Sequence, residues 1–164
     1  MRLALLVLLA TPALAVWRVM PMPSSIKPGT GVLPITSALR IELTGYTEPR
    51  LEDATARITR RIAKLTGLPI APTITALTVN VKAASKPIQS LDEDESYQLT
   101  VNATGATLTA ANPLGALHGL ETFYQLIDNT PTGWAASAAT IDDHPRFPGA
   151  ASCSTFPATS CRLK

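Results

Sequence analysis

Asp92, Glu93, Asp94 and Glu95 form the densest group of side chains capable of chemistry in this chain. General acid–base catalysis needs carboxyls held together in one cleft. Four consecutive acids in a polar loop do not meet that need; they stay solvated and titrate near their ordinary values. Asp142 and Asp143 make a second acidic pair, in a position that suits a linker equally well. His118 and His144 stand alone, no H-E-x-x-H occurs, and no Cys or His spacing suits zinc. No G-x-S-x-G elbow appears. Gly115-x-x-x-Gly119 lacks the strand-and-loop context of a phosphate-binding or dinucleotide fingerprint. No catalytic, cofactor-binding or metal-ligating residue is therefore assigned, and no cofactor is expected.

The elements that must position these groups are legible in the hydrophobic pattern. Val16 to Thr36 carries Pro21, Pro23, Pro28 and Pro34 with Gly29 and Gly31, which predicts an extended lead-in. Leu39, Ile41 and Leu43 alternate with polar residues and predict a half-buried strand ending at Gly45. Leu51, Ala54, Ile58, Ile62 and Leu65 form one helical stripe. Thr47 is its expected N-cap, Pro49 lies in the first turn, and Gly67 with Pro69 stop it. Leu77, Val79 and Val81 predict a second strand, and Lys82 to Asp94 a surface loop. Tyr97, Leu99 and Val101 predict a third strand, which turns at Asn102-Ala103-Thr104-Gly105 into a return strand through Ala106, Leu108 and Ala110. Leu114, Leu117, Leu120, Phe123, Tyr124 and Ile127 predict a second helix with Asn112 as N-cap. Gly115 and Gly119 share one face of it and would allow a close approach to the sheet. Ala135 to Ile141 is a further short strand. This order implies an α+β domain: a mixed sheet with both helices packed on one face, in two layers.

At 164 residues the chain suits one domain with a substantial core, and at 16% charged it is sparse in charge. Met1 to Ala15 reads as a secretory signal: Arg2, an apolar run from Leu3 to Ala10, and Ala13-Leu14-Ala15 as the cleavage site. The run is too short for a transmembrane anchor, which needs roughly 20 residues. The expected localisation is therefore secreted or periplasmic. Net charge is +2, or +1 once Arg2 leaves with the signal, which argues against nucleic acid as a partner. Arg57, Arg60, Arg61 and Lys64 cluster on the first helix and read as a solvated face. In an exported protein Cys153 and Cys161 could close a small disulfide loop. Asn102-Ala103-Thr104 is an N-glycosylation sequon at the turn.

From Asp92 to Pro148 the sequence runs D-E-D-E-S-Y-Q-L-T-V, then A-N-P-L-G-A-L-H-G-L-E-T-F-Y-Q-L-I, then I-D-D-H-P-R-F-P. This run resembles the non-catalytic N-terminal domain of β-N-acetylhexosaminidases, the family 20 glycoside hydrolases. The resemblance implies that residues 16–143 form that α+β domain and that residues 144–164 begin a linker into a catalytic barrel. In the family, an Asp-Glu pair in the barrel and the substrate's own acetamido group do the chemistry, outside the usual two-carboxylate scheme. That pair has no counterpart in the acidic loop, so no catalytic residue carries over. The implied partner is a glycan with terminal N-acetylhexosamine, bound through the barrel. This chain alone is expected to be inactive. The alternative is a free-standing exported interaction or carbohydrate-binding module.

Gly149 to Lys164 departs from the family pattern and is far shorter than a barrel of roughly 250 residues. Synonymous codons can be chosen for it so that the frame two bases on reads R-G-L-L-L-D-L-P-R-H-F-L-P-L-E, close to the family's first barrel strand. A frameshifted or truncated reading frame is the resulting expectation. The DNA downstream of Pro148 would test it.

Overall fold

The computed structural model describes residues 18–86 and 93–144. The expected signal, the tail with Cys153 and Cys161, and the linker from Pro145 lie outside the described residues. So does Asp92.

Seven strands and two helices follow in the order β1 (Ser25–Pro34), β2 (Leu39–Gly45), α1 (Pro49–Thr66), β3 (Ile74–Val81), β4 (Tyr97–Asn102), β5 (Gly105–Ala110), α2 (Pro113–Gln125), β6 (Ile127–Thr130) and β7 (Gly133–Asp143). All strands join one mixed sheet in the order β1-β7-β4-β5-β3-β2, with β6 paired to β7. β2, β3 and β5 run parallel to one another, and the other pairings are antiparallel. Both helices cover one face, as an α+β two-layer domain requires. No helix among the described residues is long and apolar enough to cross a membrane.

Side-chain alternation divides the sheet into two unlike faces. Leu77, Val79, Val81, Leu99, Leu108 and Ile141 are fully buried beneath the helices with Ile58, Ile62, Leu120 and Phe123. On the other face a row of threonines lies in register: Thr78 opposite Thr107, Thr107 opposite Thr100, Thr100 opposite Thr140. Lys27 on β1 continues the row past Thr140.

Several expectations need correction. The lead-in contains β1, a full edge strand. Its prolines are tolerated because an edge strand has one side free of ladder bonds. Its pairing with β7 shifts register between Pro28 and Val32, where Gly29 lies against the Ala138 backbone. The N-cap of α1 is Glu48, not Thr47, and it makes no side-chain cap bond. Thr47 instead reaches the Glu52 carboxylate at 3.2 Å. At the other end Gly67 adopts φ 71° and its N–H donates to the Ala63 carbonyl, closing the helix as expected. Leu65, the last residue of the expected stripe, is exposed.

α2 departs further. Ile127 belongs to β6, which the helical spacing concealed. The buried line of α2 runs through Gly115, Ala116, Gly119, Leu120, Thr122 and Phe123, while Leu114, Leu117 and Tyr124 are only half-buried. The expected close approach holds. A Cβ at Gly115 would strike the Ser96 carbonyl oxygen, and one at Gly119 would strike Leu108. The last strand is longer than expected, Gly133 to Asp143.

Candidate functional site

The motif-rich segment folds around the start of α2. Asn112 precedes Pro113 and is extended, which leaves the first helical N–H groups without backbone acceptors. Its Oδ1 accepts from the N–H of Leu114 at 2.9 Å and of Gly115 at 3.4 Å. Its Nδ2 donates to the Asp94 carbonyl at 2.6 Å. One buried side chain thus caps α2 and ties it to the residues entering β4. Below it, the Tyr97 and Thr122 hydroxyls share a hydrogen bond of 2.6 Å between sheet and helix. Burial, its main cause, pushes the Tyr97 phenol up to about 12.

The acidic run is dispersed. Glu93 is buried, and its Oε1 accepts from the Lys86 N–H at 3.3 Å. Its Oε2 is buried and has no hydrogen-bond partner among the described residues. Asp94 turns to the Ser96 N–H at 2.9 Å, and the hydrogen bonds from Ser96 hold its carboxyl below the ordinary value. Glu95 faces His118 of α2 at 3.4 Å, with both side chains about half exposed. The three described acids therefore point to three different neighbours.

Asp142 and Asp143 are separated as well, because successive strand residues face opposite ways. Asp142 accepts from Gln98 Nε2 at 3.2 Å on the open face. Asp143 accepts from the Ser24 N–H at 2.9 Å and the Ser24 hydroxyl at 3.1 Å, fastening the start of β1 to the end of β7. A polar depression of about 230 Å³ opens beside these groups, lined by Lys82, Asp94, Ser96, Gln98, Thr109 and Asp142 among others. It gathers the Asp94 and Asp142 carboxylates, the Lys82 ammonium and the Ser96 hydroxyl.

Two contacts were not legible in the sequence. Arg61, read as part of a solvated cluster, grips both Glu121 oxygens at 2.7 and 2.5 Å and stacks over the Tyr124 ring at 4.1 Å. The hydrogen bond to Glu121 raises the Arg61 pKa. Arg57, Arg60 and Lys64 are exposed, as expected of a solvated face. His118, which no motif had placed, acquires Glu95. Both pairings join residues distant in sequence, and only the packing of α2 on α1 and β4 reveals them.

Residues 16–144 match the family model described as Glycosyl hydrolase family 20, domain 2. Beta-hexosaminidase subunit A1 of Dictyostelium discoideum is 29% identical over 141 residues, covering 79% of this chain and 25% of that protein. Beta-hexosaminidase subunit beta of Rattus norvegicus is 41% identical over 71 residues, covering 43% of this chain and 13% of that protein. Among solved structures, the chitobiase of Flavobacterium johnsoniae superposes with a TM-score of 0.72 at 32% identity, over 79% of this chain and 21% of that one. The chain thus spans a quarter or less of each of these proteins.

Proposed function

The chain belongs to glycosyl hydrolase family 20, as its domain 2, and from that membership we propose that it serves a β-N-acetylhexosaminidase as its non-catalytic N-terminal domain. The match over residues 16–144 carries this reading, because it includes every described element. The whole enzyme would release terminal N-acetylhexosamine from glycans, and the chemistry would belong to another domain. The dispersal of Glu93, Asp94 and Glu95 supports a scaffold role for this one. So does the placement of Asp142 and Asp143 on opposite faces of β7. General acid–base work at a glycosidic bond requires carboxyls converging on one sugar.

The test is direct. The purified 164-residue chain, incubated with a chromogenic N-acetyl-β-glucosaminide, should release no chromophore above blank. Hydrolysis that persists through purification and follows the folded protein would overturn the scaffold reading. Saturable binding of N-acetylglucosamine oligomers by the same sample would favour a carbohydrate-binding module instead.

Export is part of the proposal. Arg2, the apolar run and Ala13-Leu14-Ala15 support it, because a translocation signal needs that order of charge, apolar core and small residues. The mature protein should begin at Val16. A protein retained inside the cell with Met1 intact would refute export.

A further inference from the structure

We propose that Asn102 is an acceptor for an N-linked glycan. Of the four asparagines, Asn80, Asn102, Asn112 and Asn129, only Asn102 is followed two residues later by Ser or Thr. Asn112 is also buried, and its amide nitrogen is committed to the Asp94 carbonyl. Asn129 precedes Thr130 and Pro131 and so lacks the required frame.

Asn102 closes β4 opposite Gly105, the first residue of β5, and the two-residue link Ala103-Thr104 is the tip of the hairpin. Asn102, Ala103 and Thr104 are all exposed. The Asn102 Oδ1 accepts three hydrogen bonds: from the Thr104 N–H at 2.9 Å, the Thr104 hydroxyl at 2.7 Å and the Gly105 N–H at 3.1 Å. The carbonyl arm of the carboxamide therefore holds the turn. The Nδ2 arm makes no hydrogen bond to any described residue, so its substitution removes no contact. The contact between the Thr104 hydroxyl and the carboxamide is local to three residues. It can form in a nascent chain before the sheet assembles.

The topology gives the site room. In the β4–β7 ladder Tyr97 lies opposite Asp143 and Val101 opposite Ala139. The last described residue, His144, lies beside the Tyr97 end, while Asn102 lies at the other end of β4, about 17 Å away at the usual rise per strand residue. A saccharide on the hairpin tip would leave the His144 end of the sheet and the helix-covered face clear.

The chemistry balances without a redox partner. The Nδ2 of Asn102 forms a bond to C1 of a saccharide carried on a lipid diphosphate. The C1–O bond to the diphosphate breaks, the lipid diphosphate leaves with the electron pair, and one Nδ2 proton passes to a base of the transferase.

This inference rests on the export reading, and the experiment separates the two. The full chain is translated with endoplasmic-reticulum microsomes, once with its own N-terminus and once with an established secretion signal fused ahead of Val16. Protease protection scores translocation. The translocated chain should gain the mass of one glycan, lose it to peptide N-glycosidase, and then carry aspartate at 102. Asn102→Asp keeps the accepting oxygen and removes only the nitrogen, so it should abolish the shift with the turn intact. Thr104→Ala should abolish the shift too, and Thr104→Ser should retain it. Glycosylation of the fused chain alone would uphold Asn102 while counting against export by the native N-terminus. A protected, translocated chain with no shift, or a shift that survives Asn102→Asp, would overturn the proposal.

Discussion

α1 and α2 lie on the same face of one sheet and are fastened to it by different means. α1 buries branched and aliphatic side chains, Leu51, Ile58 and Ile62, in an amphipathic stripe with charges outside. α2 buries Leu120 and Phe123 too, but it also brings its backbone close through Gly115 and Gly119, and adds a polar bolt from Tyr97 to Thr122 and a cap from Asn112. A helix held by large side chains advertises its inner face in the sequence. A helix that also approaches through glycine shows that face by spacing alone, as Gly115 and Gly119 do, because glycine carries no hydrophobic signal. Of the expected α2 stripe, Leu120 and Phe123 are buried, while Leu114, Leu117 and Tyr124 are only half-buried.

The largest test of this contrast is Ile58→Ala, which should cost about 2–5 kcal/mol in denaturant unfolding through lost burial and a cavity. Gly115→Ala comes next. Alanine ordinarily favours a helix, yet here the added methyl meets the Ser96 carbonyl, and the overpacking should cost about 1–3 kcal/mol. Unchanged or increased stability would show that α2 does not depend on close approach.

The Tyr97 bolt predicts a pH effect. Its folded pKa lies above its ordinary value, so the stability it contributes is complete below about pH 10 and falls as pH rises toward about 12. Thermal unfolding across that window should decline more steeply for the native protein than for Tyr97→Phe. Asn112→Ala should cost about 0.5–2 kcal/mol by removing the cap of α2. The smallest effect belongs to Leu117→Ala. Its side chain is only half-buried, so the loss should stay below about 1 kcal/mol. A loss equal to that of Ile58→Ala would mean that the half-buried line of α2 fastens it as firmly as the buried one.

The same physical divide governs what could be read in advance. β2, β3, β4, β5 and α1 were legible because alternation and helical spacing are local signals. The turn at Asn102 and the cap at Asn112 were legible because their chemistry is confined to a few residues. β1 was not, because Pro28, Gly29, Gly31 and Pro34 read as irregular chain until β7 is present to pair with them. β6 was hidden because Ile127 fits the helical period of the residues before it. The acidic loop read as a run of solvated carboxylates, whereas packing buried Glu93 and drew Asp94 and Glu95 to separate partners.

The sequence by itself determined the local elements, the closing of α1 at Gly67, the hairpin, and the run of residues that marks the family. Only the tertiary structure decided that β7, the last strand among the described residues, lies between β1 and β4. It also decided that Arg61 grips Glu121 and that Asp142 and Asp143 part to opposite faces. Local signals come from neighbours along the chain. Strand order and side-chain partners are set by contacts between residues far apart in the chain, such as Ser24 and Asp143 at 119 positions, and no short window of sequence contains both.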